Sequence, residues 1–140
     1  MPPTRPPTAA ELVQDAGVRQ ALEQAWLDSL PSDPVRRHEE GGWIYIDVVS
    51  GALSTRRAAS GATAGIDLTM PPIVAGAVVV GKFHTHPNPA SEWETGPSVA
   101  DLRIDALHGV PDLIRAEDGI HFSGPAARRG GLTGGPGYPP

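Results

Sequence analysis

The sequence predicts a single mixed α+β domain, and three observations support this interpretation. One amphipathic helical stretch lies near the N-terminus, several runs rich in β-branched residues follow it, and a second helical stretch interrupts the later strands. With 140 residues, 39% of them hydrophobic and 19% charged, the chain has the size and composition of one globular domain. Proline and glycine concentrate at the ends, which predicts a flexible N-terminus over residues 1–8, a folded domain over 9–125 and a flexible tail over 126–140.

Charge and composition exclude several classes of function. The net charge is −5 and no basic stripe is present, so nucleic-acid binding is not expected. The chain contains no cysteine, so any metal site must use histidine, aspartate or glutamate. It has neither an apolar leader nor an apolar run of about 18 residues, which favours a cytoplasmic protein without a membrane partner.

The first predicted element is a helix over residues 8–30. Thr8 and Glu11 have the spacing of a capping box, in which each side chain bonds the other residue's backbone at the start of a helix. Gly17 weakens the middle of this stretch. Its apolar face repeats every fourth residue, at Val18, Leu22, Trp26 and Leu30.

Strands are predicted next. Residues 43–49 are aromatic and β-branched, residues 52–58 are a candidate returning strand, and residues 61–68 a looser one. The most apolar segment is 73–83. Its second half, residues 78–83, is the predicted central strand of the sheet.

A polar, proline-rich loop over residues 87–97 precedes the second helix. Ser98 is a natural N-cap for that helix, which is expected to end near Gly109. Two short strands at 111–115 and 120–122, separated by an Asp-Gly turn, predict a closing hairpin.

The residues that carry chemistry begin where the central strand ends. His84 and His86 are two positions apart, so in a strand their imidazoles project from the same face. A zinc site needs a third protein ligand and leaves one position for water when it is catalytic. Asp101 can supply that ligand, and Ser98, three residues earlier on the same helical turn, accompanies it.

A metal-dependent hydrolase also needs a base to take and deliver protons. Glu39 and Glu40, directly before Gly41 and Gly42 and the first strand, are the candidates. The residues alone leave both glutamates open.

This set resembles the signature of the JAMM (JAB, MPN+) zinc metalloprotease family: a glutamate, then His-Thr-His-Pro, then Ser-x-x-Asp. The resemblance covers residues 11–129, includes the order of helices and strands, and is similar to the prokaryotic branch in the segment that begins Glu-Glu-Gly-Gly-Trp. It implies the JAMM/MPN (cytidine-deaminase-like) fold, in which helices flank a curved mixed β-sheet.

The resemblance also implies a role for each matching residue. His84, His86 and Asp101 would bind Zn²⁺, and Ser98 would donate a hydrogen bond to the oxyanion of the tetrahedral intermediate. The family pattern Glu-x-x-Gly matches Glu39 with the second glycine, so Glu39 is taken as the general base and Glu40 as the alternative.

The implied activity is cleavage of a peptide or isopeptide bond after the C-terminus of a ubiquitin-like protein, in deconjugation or precursor maturation. The implied partners are a ubiquitin-like protein or its conjugates, together with the activating and conjugating enzymes of a bacterial pathway. Two alternatives stay open: a zinc peptidase acting on another small carrier or peptide, and a non-catalytic MPN scaffold used for binding.

One departure from the family pattern concerns a loop. Eleven residues separate His86 from Ser98, where the family usually has seven. The excess falls within residues 88–96 and predicts a longer loop beside the site. Trp93 in this loop either packs locally or contacts substrate.

Overall fold

The computed structural model describes residues 2–140, and Met1, the first residue of the predicted flexible N-terminus, lies outside the described residues. Three helices and five strands are formed. In chain order they are α1 (Ala9–Gln14), α2 (Ala16–Asp28), β1 (Gly41–Asp47), β2 (Leu53–Arg57), β3 (Ala77–His86), α3 (Val99–His108), β4 (Asp112–Ala116) and β5 (Gly119–Ser123).

The five strands form one mixed sheet in the order β2-β1-β3-β4-β5. β1 pairs antiparallel with both β2 and β3, β4 pairs antiparallel with β5, and β3 and β4 run parallel. The parallel pair is joined by α3, as a crossover between parallel strands requires. The predicted α+β class, with a mixed sheet flanked by helices, is confirmed.

The N-terminal helical stretch is divided in two, so the prediction of one helix over residues 8–30 is wrong in this detail. Thr8 caps α1 with the expected capping box. Asp15 then adopts an extended backbone conformation, and its carboxylate accepts a hydrogen bond from the amide of Val18 at 3.0 Å, which starts α2. A short polar side chain that caps a new helix is the physical reason for the break.

One face of the sheet carries the larger core, formed with α1 and α2. Its buried members are Leu12, Val18, Leu22, Ala25, Ile44, Ile46, Val78, Val80, Phe83 and Leu113. The opposite face carries a smaller core that contains Trp43, Tyr45, Leu68, Ala77, Val79 and Val110. Alternate residues of β1 therefore enter opposite cores, as the pleat of a strand requires.

A β-bulge in β3 sets the direction of the site residues. Ile44 pairs with Gly81 whereas Tyr45 pairs with Val79, so β3 contains one extra residue, Val80. The bulge reverses the alternation of side chains along β3, as shown by Val80 and Phe83, which are three residues apart and both enter the larger core. Lys82, His84 and His86 consequently face the side of the smaller core, and bulges commonly re-aim side chains near functional sites in this way.

Two other segments differ from the predictions. No strand forms over residues 61–68, where only an isolated bridge joins Ala62 to Gly65, since this segment pairs with the backbone of Glu39 rather than with a strand. Residues 73–76 of the apolar segment precede β3 without joining it, whereas the predicted central strand over residues 78–83 is confirmed as part of β3.

The C-terminal segment has specific contacts, whereas its glycine- and proline-rich composition predicts a flexible tail over residues 126–140. Arg128 is buried, and Tyr138 stacks on His108 with ring centroids 4.0 Å apart. The guanidinium of Arg128 donates to four backbone carbonyl groups, those of Val79, Gly131, Gly135 and Gly137. One buried side chain therefore organises a segment whose composition gives no sign of order.

Among residues 2–140, no helix is long and apolar enough to cross a membrane.

Candidate metal centre

His84 and His86 lie at the end of β3 and face each other, as predicted. Their Nε2 atoms are 3.1 Å apart, and the rings meet edge to face with centroids 4.9 Å apart. Thr85 between them points to the opposite side, where its hydroxyl contacts that of Ser29 at the end of α2. This buried contact ties the strand end to the helical layer and so fixes the direction of both imidazoles.

Asp101 joins the two histidines from the first turn of α3. Its Oδ1 lies 3.5 Å from Nε2 of His84, and its Oδ2 lies 3.2 Å from Nε2 of His86. The same carboxylate accepts a hydrogen bond from the amide of Ser98 at 2.9 Å, as part of a capping box. The cap holds the carboxylate against the histidines. The Asp101 side chain therefore both stabilises the start of α3 and serves as a candidate metal ligand.

Glu39, one of the two residues directly before β1, completes the cluster. One of its carboxylate oxygens and the ring nitrogens of His84 and His86 all lie within 4.8 Å of one another, a spacing suited to holding a metal ion. Its backbone is paired with the 61–62 segment, which fixes its position. Burial raises the pKa of the Glu39 carboxyl to about 7, against the opposing effect of the nearby histidines.

Glu40 points away from the cluster into a separate network. Its carboxylate contacts Arg57 and His38, each at 2.6 Å, and the hydroxyl of Ser60. Burial raises the pKa of Glu40, but the hydrogen bonds that it accepts outweigh this effect and lower the pKa below its usual value. The structure brings Glu39 to the histidines and leaves Glu40 in an ion-pair network.

Gly41 and Gly42 explain how this segment approaches β3 so closely. Gly41 pairs with His84, and a Cβ atom at Gly41 would lie 2.3 Å from the carbonyl oxygen of Phe83. A Cβ atom at Gly42 would lie 2.0 Å from the carbonyl oxygen of Arg56 on the other neighbouring strand. The two glycines are therefore required by close backbone contact on both sides of β1.

Ser98 lies beside the cluster as the N-cap of α3. Its Oγ accepts a hydrogen bond from the amide of Asp101 at 3.0 Å. Within residues 2–140 this is the only hydrogen bond of the hydroxyl, so its proton is available to a bound molecule. Ser98 and Asp101 both line the same cavity as the histidines and Glu39.

Each histidine has an outer partner at its other ring nitrogen. Nδ1 of His84 is 3.1 Å from Oδ1 of Asp112, and Nδ1 of His86 is 3.2 Å from the carbonyl oxygen of Thr95. Metal-binding histidines usually donate their second ring proton to a carboxylate or a carbonyl group in this manner.

Charge is concentrated in the cluster. Burial lowers the pKa of His84, but the carboxylates of Asp112 and Asp101 outweigh it and raise this pKa well above its usual value. Burial likewise raises the pKa of Asp101, but its contacts with His84 and His86 hold the carboxyl well below its usual range. These carboxylates thus favour a cation at this position.

The cluster opens into a cavity of about 440 Å³. The long loop over residues 88–96 contributes Trp93 to one wall, where about half of its surface is exposed, and Ile66 and Leu68 contribute to another. The loop is anchored on the β4–β5 hairpin, since the amide of Ala90 donates to Glu117 at 3.0 Å. Trp93 therefore borders the space in front of the histidines.

Sequence reasoning did not identify Lys82, Asp105 and Asp112, three buried residues that also line this cavity. Lys82 precedes the His-Thr-His motif by two positions and faces the same side, so strand alternation gives a signal for it. Asp112 has no such signal, because its place beside His84 depends on the parallel pairing of β3 with β4, which is not local in the chain.

Comparison with models of known protein families, with curated proteins and with solved structures gives no match. The resemblance to the JAMM family therefore rests on the residue pattern alone.

Proposed function

We propose that this chain is a zinc hydrolase of the JAMM type, with the JAMM/MPN fold, that cleaves after the C-terminus of a ubiquitin-like protein. One observation carries the proposal: the Nε2 atoms of His84 and His86 converge with the Asp101 carboxylate, next to the buried carboxyl of Glu39. The choice of a ubiquitin-like substrate rests on the resemblance of the motifs to that family.

The donor set fits zinc. Two imidazole nitrogens and one carboxylate are the ligands found in catalytic zinc sites, which leave a further position open. His84, His86 and Asp101 would hold the ion, and the outer contacts to Asp112 and Thr95 suit ligating histidines. Glu39 is close enough to act either as a further ligand or as a base, and the family pattern that Glu39 matches assigns it the role of base.

Bound zinc would supply Lewis acidity, which makes water a nucleophile near neutral pH and polarises the carbonyl group that it attacks. Glu39 accepts the proton of the attacking water and later delivers it to the nitrogen of the leaving amine as the carbon–nitrogen bond breaks. In the metal-free chain burial raises the pKa of this carboxyl to about 7, and a metal ion bound beside it would lower that pKa.

Ser98 stabilises the charge that develops on the carbonyl oxygen. Its Oγ already accepts the amide of Asp101, so the hydroxyl proton is directed elsewhere and can be donated to this oxygen. Loss of one such donor commonly lowers the rate about 10²–10³-fold.

A panel of ubiquitin-like proteins with C-terminal extensions tests the proposal. Zinc-loaded protein is expected to cleave after a diglycine end, with the product mass identifying the bond. Glu39→Gln is expected to bind zinc and lose at least about 100-fold in kcat, because it removes the proton carrier.

Glu40→Gln is the matched control, since it changes the neighbouring carboxyl to the same amide. We expect its kcat to stay within about threefold of wild type, with a lower Tm because the ion pair with Arg57 is lost. Loss of turnover in Glu40→Gln with retention in Glu39→Gln would reverse the assignment. Cleavage of other peptide extensions but not of diglycine ends would leave a zinc peptidase with a different substrate.

A further inference from the structure

Asp112 is a buried carboxylate whose contact with the candidate ligand His84 can be tested separately from the proposed activity. It is the first residue of β4 and is 1% exposed. Its Oδ1 lies 3.1 Å from Nδ1 of His84, and its Oδ2 has no hydrogen-bond partner among residues 2–140. A buried carboxylate with so few partners is destabilising unless its charge interacts with something specific.

Lys82 is the obvious partner for Asp112, because the two residues are opposite each other in the β3–β4 register. The Lys82 ammonium instead lies 2.6 Å from Oδ1 of Asp105 and 2.8 Å from Nδ1 of His108. Among the described contacts, the side chain of Asp112 is left with His84 alone.

We propose that Asp112 is a positioning residue, which accepts the Nδ1 proton of His84 and so keeps the lone pair of His84 on Nε2, facing His86 and Asp101. A neutral imidazole carries one proton, and the nitrogen that donates a hydrogen bond determines which nitrogen can bind a metal. The contact also fixes the ring plane, because β4 is held parallel to β3 and both residues are buried.

The first arm of the test needs no metal and does not depend on the proposed function. In zinc-free protein with ¹⁵N-labelled histidine, NMR at a pH where His84 is neutral shows which ring nitrogen carries the proton. Nε2 of His84 also faces Asp101 at 3.5 Å and Nε2 of His86 at 3.1 Å, but the Asp112 contact, at 3.1 Å, is the most deeply buried of the three. We expect the Nδ1–H form in wild type, and a shift toward the Nε2–H form in Asp112→Asn and Asp112→Ala.

The second arm measures zinc affinity by competition with a chromogenic chelator and rests on the proposed function. Loss of an outer partner typically weakens metal binding 10–100-fold, and we expect this for Asp112→Asn and Asp112→Ala. Glu40→Gln is the matched control, because it removes another buried carboxylate, whose contacts are with Arg57, His38 and Ser60 rather than with the cluster. It is expected to lower Tm while changing zinc affinity less than about twofold.

An Nε2–H form of His84 in wild type would overturn the positioning role without any variant. Unchanged tautomer and zinc affinity in both Asp112 variants would overturn it as well, while leaving the metal site intact. A wild-type protein that binds no zinc would instead contradict the proposed function, and the first arm would still decide the role of Asp112.

Discussion

Glu39 occupies a position that is costly for a folded protein. Its carboxyl is buried beside two histidines, and among residues 2–140 it accepts no hydrogen bond. Burial raises its pKa to about 7, which means that the charged form destabilises the fold. Shifted pKa values of this kind are typical of functional sites, and the shift gives a test that does not require a substrate.

We predict that zinc-free wild type loses stability between pH 4.5 and 7 relative to Glu39→Gln. In this window the folded protein keeps a proton on Glu39 that the unfolded chain has released, so the free energy of unfolding falls as pH rises. The difference between the two proteins should change by about 3 kcal/mol, measured by urea unfolding across the range. If the free energies of unfolding of wild type and Glu39→Gln changed in parallel with pH, the pKa of Glu39 would not be raised by burial.

Among the elements, α3 combines two functions in its first turn. Ser98 and Asp101 form a capping box; the Asp101 carboxylate contacts both histidines, and Ser98 lines the same cavity. The helix is otherwise weakly packed, since Asp105 is its one buried residue. The cap is therefore important both for the start of α3 and for the placement of Asp101.

Ser98→Ala should lower stability by about 1 kcal/mol through loss of the cap and lower kcat by about 10²–10³-fold through loss of the hydroxyl donor. Thr8→Ala is the matched control, because Thr8 forms the same kind of capping box at α1, away from the cluster. It should show a similar loss in urea unfolding with unchanged kcat. Equal kcat values for Ser98→Ala and Thr8→Ala would show that the Ser98 hydroxyl takes no part in the reaction.

The local elements of the site could be predicted from the sequence, but their mutual placement could not. Strand alternation predicts that His84 and His86 share a face, and cap spacing predicts that Ser98 starts α3. The bulge at Val80, which turns the histidines toward α3 rather than toward the larger core, has no local signal. The choice between Glu39 and Glu40 likewise depends on Arg57, which lies across the β1–β2 pair.

At the scale of the whole molecule, the C-terminal segment connects to the cavity wall. Tyr138 donates to the carbonyl group of Leu68, which lines the cavity, and stacks on His108, which contacts Lys82. Composition alone predicts a flexible tail. The carbonyl groups that surround Arg128 come together only in the folded chain, so composition gives no sign of them. The α+β class was predictable because it depends on the order of elements rather than on these distant contacts.

Arg128→Ala should destabilise the protein by about 3 kcal/mol, since it leaves the carbonyl groups of Val79 and three tail residues without their donor. Thermal unfolding provides the measurement, with Arg103→Ala on the exposed surface of α3 as the control. An equal Tm for the two variants would indicate that the tail contributes little to the fold.

The central claim is that His84, His86 and Asp101 form a zinc site, and zinc content measured by plasma mass spectrometry tests it most directly. Purified wild type is expected to hold about one zinc ion per chain, and His86→Ala is expected to lose it, because two remaining ligands do not retain zinc. A wild-type protein without zinc, even after zinc is supplied and the excess removed, would contradict the account.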